Sequence, residues 1–232
     1  MPDAKSQILE AAKRHFADQG YSGTSLDQVI AASQTSKGTL YHHFGGKEGL
    51  YVAVLETALN QLWASILPHA SLDGVTRDTF WSTFARVWML GGLYLLEHPV
   101  DLRLWRGFER QWRALSDAGP TRLIREKSLA SSAMVARRGQ ELGCVRSDLR
   151  PEECAELMEA LDAVADRWFF DEADANGAAS AVRRVGPMAV EMMWRAIAPA
   201  DVLRNEDPAP KPSDFLELDE LQRLVNSKED LT

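Results

Sequence analysis

The stretch from Thr24 to Lys47, TSLDQVIAASQTSKGTLYHHFGGK, restricts the fold of this 232-residue chain more than any other. Two short helices joined by a tight turn satisfy it. Thr24 or Ser25 supplies an N-cap oxygen for free backbone N–H groups, with Asp27 or Gln28 at the spacing of a capping box. Leu26, Val29 and Ile30 follow on one helical face. Ser33-Gln34-Thr35 contains no strong helix former and reads as the turn. Ser36 caps a second helix from Lys37 to His43, and Gly45-Gly46 ends it. So short a helix buries too little to fold alone, so it serves to present side chains. Leu40 and Phe44 anchor it, while Lys37, Thr39, Tyr41 and His42 point outward. A capped helix with polar and cationic groups on its outer face fits the DNA major groove, and its N-terminus attracts phosphate.

These residues resemble the helix-turn-helix of the TetR family of bacterial transcription regulators. The resemblance rests on Ser36-Lys37-Gly38-Thr39-Leu40-Tyr41-His42-His43-Phe44 and Lys47-Glu48-Gly49-Leu50, with Ile8, Ala11, Phe16, Gly20, Tyr21, Thr24 and Ser25 upstream. It covers about the first fifty residues. Gln34 stands where the family usually has Gly, and Thr35 where it has a small aliphatic. A turn residue with positive φ is costly for side chains other than Gly, so the turn is expected to be a little strained or differently shaped. By resemblance, Lys37, Thr39, Tyr41 and His42 contact bases or phosphates, with Ser36 and Gly38 at the same surface. Thr24 and Ser25 hold phosphate and Lys47 clamps the backbone; because adjacent helix residues point about 100° apart, His42 and His43 do not converge on a metal, and His43 is expected to pack.

The net charge of −8 argues against nucleic acid when taken over the whole chain. Residues 1–50, however, hold five basic and five acidic side chains, so the acidity lies beyond the proposed DNA surface. The two cysteines, Cys144 and Cys154, make no disulfide framework and no metal-ligand spacing. Neither signal peptide nor membrane span is legible: the uncharged run Val87 to Leu96 is far short of the roughly 20 residues a span needs. A cytoplasmic protein without metal or cofactor is the expectation. No nucleophile motif, phosphate-cradling loop or His/Cys/Asp cluster suggests an enzyme.

Along the chain only helical periods occur. Residues 3–20 form a first helix with Ile8, Ala11, Ala12, His15 and Phe16 on its apolar side, ended by Gly20. Lys47 opens a long helix to about Leu67. Further helices are expected at 76–97, 100–116, 119–142, 151–171 and 175–197. The fold class is all-α, a three-helix head followed by a larger helical body. The divisions are 1–48 (DNA-binding), 49–198 (ligand-binding and dimerisation), and 199–232, a Pro-rich linker with an amphipathic segment at 213–227.

The helix at 76–97 is apolar nearly all round, hence central. Each residue of its Gly91-Gly92 pair costs about 1 kcal/mol relative to Ala, an expense that close helix approach, a kink or room for a ligand must offset, close approach being the expectation. Trp105, Phe108 and Trp112 form one stripe on 100–116, opposite Arg103, Arg106, Arg110 and Arg113. Together with Trp81, Phe84, Trp88 and Trp168, those aromatics make either a plain core or the lining of a pocket for a hydrophobic or aromatic molecule. Leu157, Leu161, Ala165 and Trp168 on one late helix, and Val185, Met188 and Met192 on the next, resemble in pattern and position the pair through which the family dimerises. The expected protein is a homodimeric repressor that a small effector releases from a palindromic double-stranded operator. Two alternatives stay open: redox response through Cys144, and an interaction protein acting through its tail without operator binding.

Overall fold

The computed structural model describes residues 3–69, 73–112 and 122–200, with backbone alone at 110–112 and 123. Among them are nine helices and no strand: α1 (Ala4–Gly23), α2 (Leu26–Ser33), α3 (Lys37–Phe44), α4 (Lys47–Ile66), α5 (Phe80–Glu97), α6 (Pro99–Trp112), α7 (Arg122–Glu141), α8 (Pro151–Asn176) and α9 (Ala178–Ile197). The segment 213–227 lies outside the described residues.

Two compact units divide the chain. Among the described residues, the first takes 3–62 together with 98–112 and 122–126; the second takes 63–69, 73–97 and 127–200. The first unit is therefore larger than a contiguous head. Ile8, Phe16, Val29, Leu40, Leu50, Tyr51 and Leu55 form its core, joined by Leu104 of α6 and Ile124. Phe16 meets Tyr51 edge-on with ring centroids 4.8 Å apart. α6 lies on α1. Lys13 Nζ stands 2.6 Å from the Asp101 carboxylate, whose side chain is 1% exposed, and also donates to Gln61 Oε1 at 3.2 Å. One ammonium thus joins α1, α4 and α6.

Local chemistry sets the head's boundaries. Asp3 accepts the Ser6 N–H and starts α1. Gly20, with φ of 69°, breaks the helical dihedrals as expected, yet one more turn follows to Gly23. Ser25 is the cap of α2, and Gln28 closes the box by accepting the Ser25 N–H at 3.0 Å. At Gln34 the backbone turns left-handed, φ 53° and ψ 35°. No other described residue except glycine has positive φ, a conformation that costs a side chain about 1–2 kcal/mol. Ser36 caps α3, and Gly45 with φ of 71° ends it. The next turn is tight: a Cβ on Gly49 would lie 2.0 Å from the Phe44 carbonyl oxygen, so only glycine fits.

In the second unit α5 begins later than expected, because Thr76 donates its N–H to Thr79 Oγ1 and residues 76–79 close a turn. A Cβ on Gly92 would meet Val182 Cγ2 at 2.8 Å, and one on Gly186 would meet Met89 Sδ at 2.9 Å. The close approach expected of the double glycine therefore falls on Gly92, with α5 against α9. α8 runs to Asn176, five residues beyond the expected end, and Gly177 breaks it with φ of 87°. Glu172 pins the α8–α9 corner by accepting from Ser180 Oγ, Asn176 Nδ2 and Arg184 Nε.

Ala165 and Val185, expected on a dimer surface, are instead fully buried inside this unit. Leu157 and Met188 remain exposed, at 40% and 39%, while Leu161, Trp168 and Met192 are half-buried. The aromatics read as either core or pocket lining pack in both units. Trp105 and Phe108 pack on the first unit's core. Trp81 and Phe84 pack on a cluster in the second, and Trp88 meets Phe169 edge-on. Neither the Trp112 nor the Arg110 side chain lies among the described atoms, and Arg113 lies outside the described residues.

Candidate nucleic-acid interface

The candidate surface is built on α3. Leu40 and Phe44 sink into the first unit's core, which fixes the rotation of this two-turn helix. Lys37, Gly38, Tyr41 and His42 are then left exposed. Ser36 Oγ accepts the Thr39 N–H at 3.0 Å and shares a 2.8 Å hydrogen bond with Thr39 Oγ1. The two hydroxyls hold each other at the helix start. Lys37 Nζ sits 5.9 Å from the Tyr41 ring centroid, at the edge of cation–π range. A Cβ on Gly38 would touch only Ser36 Oγ at 3.7 Å, so packing within the chain does not demand glycine there. Its effect is a low, open surface beside Lys37.

Three placements differ from expectation or refine it. Thr24 is buried and its hydroxyl donates to the Gly20 carbonyl at 2.8 Å, so it stabilises the turn before α2 instead of facing phosphate. Ser25 is exposed, with its oxygen accepting the Asp27 N–H. His43 does not pack inward; it is exposed, its ring 5.2 Å from that of His42. Lys47 donates to the Ser22 carbonyl at 3.3 Å and lies 4.7 Å from the centre of the Tyr21 ring. These contacts hold its ammonium where the end of α1 meets the start of α4. Gln34, which is not among the contacts expected from the sequence, is exposed beside this surface.

No cluster able to hold a metal exists among the described residues, and no described helix is long and apolar enough to cross a membrane. Cys144 is buried, and its thiol donates to the Arg77 carbonyl at 3.4 Å. Burial pushes the Cys154 thiol upward. Exposed thiolate chemistry is thus not what this region is built for.

Comparison with known proteins agrees with this geometry. Residues 8–54 match the description of bacterial regulatory proteins of the tetR family. The chain is similar to the HTH-type transcriptional repressor DhaR of Mycobacterium sp. strain GP1, 27% identical over 160 residues, which is 66% of this chain and 76% of that protein. It is also similar to the HTH-type transcriptional regulator LmrA of Bacillus subtilis, 53% identical over 51 residues, 22% of this chain and 27% of that one. In fold it resembles SmeT, the repressor of the Stenotrophomonas maltophilia multidrug efflux pump SmeDEF, with a TM-score of 0.64 at 19% identity, over 92% of this chain and 97% of SmeT. With the helix-turn-helix formed at α2 and α3 and the matched segment running into α4, the chain belongs to the TetR family of DNA-binding transcription regulators.

Proposed function

We propose that this chain is a homodimeric repressor that reads a near-palindromic operator through α3 and leaves it when a small hydrophobic or aromatic effector binds the helical body. The observation that carries the reading is the exposed set Lys37, Tyr41 and His42 on a capped helix whose other side is locked by Leu40 and Phe44. Two heads would place their recognition helices in successive major grooves, about one helical turn apart. In this reading Ser25, Ser36, Lys37, Gly38, Thr39, Tyr41, His42 and Lys47 face DNA, and Thr24 positions Ser25. Residues 1–48 carry the readers, 49–198 the effector and dimer functions, and α6 works with the head. The protein acts in the cytoplasm and needs no cofactor. DhaR and SmeT bear the name repressor, which supports that sign of control.

Fluorescence anisotropy against duplex selected from random sequence, over a salt series with random duplex alongside, tests the reading. Specific binding well above random, with a steep salt dependence, is expected. Equal weak binding to both duplexes overturns it. Lys37→Ala is expected to weaken binding to every duplex and lower the logarithmic salt slope by about one. A slope equal to that of the parent protein removes Lys37 from the phosphate contacts.

Exposed Leu157 and Met188, with half-buried Leu161, Trp168 and Met192 on the same two helices, support self-association through α8 and α9. Met188→Glu sets a charge in that face. It is expected to yield monomers by analytical ultracentrifugation, with operator affinity reduced about 100-fold or more, because each half-site then binds alone. A dimer of undiminished strength would place the interface elsewhere.

A further inference from the structure

Gln34 sits in a conformation that its residue type disfavours, and no side-chain hydrogen bond among the described residues repays it. The backbone requirement is firm. The Gln34 N–H donates to the Ala31 carbonyl and the Thr35 N–H to the Ile30 carbonyl, both at 3.3 Å, which closes the end of α2 and forces the left-handed turn. Its neighbours satisfy themselves: Ser33 Oγ donates to the Ile30 carbonyl and lies 2.8 Å from Thr35 Oγ1. The Gln34 side chain is exposed, and among the described residues its carboxamide takes no hydrogen bond. Glycine would meet the backbone requirement without strain. A strained, exposed side chain with unused polar atoms is what a contact residue looks like before its partner arrives.

Position identifies the partner. Gln34 lies two residues before the cap of α3 and three before the exposed Lys37, on the loop that delivers the recognition helix. A recognition helix meets base edges with its N-terminal residues, so the loop just ahead of it runs beside the same stretch of duplex. A carboxamide both donates and accepts, and glutamine suits the N6/N7 edge of adenine or a phosphate oxygen.

We propose that Gln34 is a DNA-contacting residue, a polar reader set on the helix-turn-helix loop at the expense of backbone strain. The proposal rests on the head's binding DNA, so the parent protein is measured first. If it fails to bind any selected duplex, that broader reading falls. Gln34→Gly and Gln34→Asn are then compared with the parent by thermal unfolding and by anisotropy on selected and random duplex. Both substitutes adopt left-handed backbone readily; one lacks the amide and the other shortens its reach.

Gln34→Gly is expected to raise Tm by about 2–4 °C and yet weaken binding about five- to tenfold. Gln34→Asn is expected to keep or raise Tm and to weaken binding as well. Neither changes the salt slope, because no charge is removed. Loss confined to the selected duplex identifies a base edge, and equal loss on both identifies phosphate. A residue serving only the fold would move stability and affinity together. The proposal is overturned if both variants, folded and at least as stable as the parent, bind the selected duplex with the affinity of a parent that does bind it.

Discussion

Lys13→Met is expected to destabilise the first unit by about 3–5 kcal/mol, a large share of the stability of an ordinary domain. The change leaves the Asp101 carboxylate, 1% exposed, without the ammonium that stands 2.6 Å away. Burying a charge is tolerable only when partners offset the lost hydration, and removing the ammonium among them uncovers much of the penalty. Lys13 also donates to Gln61, so the same substitution loosens the junction with α4. Combining Lys13→Met with Asp101→Leu separates the two contributions. With both charges gone the desolvation penalty disappears, and the double variant should return to within about 1–2 kcal/mol of the parent. Urea unfolding of the single and double variants checks this. A single variant within about 1 kcal/mol of the parent would mean that the pair carries no such weight.

The second large effect depends on pH. Burial raises the Asp162 carboxyl from its ordinary 3.8 to about 7; the Glu159 carboxylate one turn away adds to this, and the hydrogen bond from Trp88 opposes it. Trp88 itself is held by Phe169 and by the gap at Gly186. Between about pH 4 and pH 7 the folded chain therefore keeps a proton that the unfolded chain has released. Stability from this site is fully present below about pH 4, declines as pH rises through about 7, and is level above. Asp162→Asn fixes the neutral shape and leaves an oxygen for the Trp88 N–H. It is expected to stabilise the protein at about pH 8 by roughly 2–4 kcal/mol, and by much less at about pH 5. Urea unfolding of parent and variant at both values makes the comparison, with other titrating groups common to both. Parallel pH profiles would show that Asp162 stays ionised in the fold.

The head is legible in the sequence because its signals are local. Ser25, Ser36 and Gly45 act within one turn of where they stand, and Leu26, Val29, Leu40 and Phe44 repeat at the helical period. Even the strain at Gln34 follows from one departure in a known pattern. What the sequence hides is set by distant partners. Ala165 and Leu157 look alike in a helical stripe, yet one faces the core of its own unit and the other faces water. Asp101 looks like an ordinary first-turn acid of α6, and nothing near it announces Lys13. Trp105 and Phe108 read as core or as cavity wall by spacing alone, and only the fold shows them packed on the core of the first unit. The late start of α5 and the surplus turn of α1 come from single hydroxyl and glycine geometries that periodicity does not register.

The membership of α6 in the first unit bears on how such chains can be recombined. A graft that moves residues 1–62 to another body carries Lys13 but leaves Asp101 and Leu104 behind. The transplanted piece would expose the α6-facing side of α1 and hold an ammonium with no counter-charge from α6. If α3 and its loop read DNA as proposed, specificity is exchanged in this chain by one of two routes. Either the surface side chains of α3 and its loop are rewritten in place, or both segments of the discontinuous unit travel together. A single crossover cannot deliver the second.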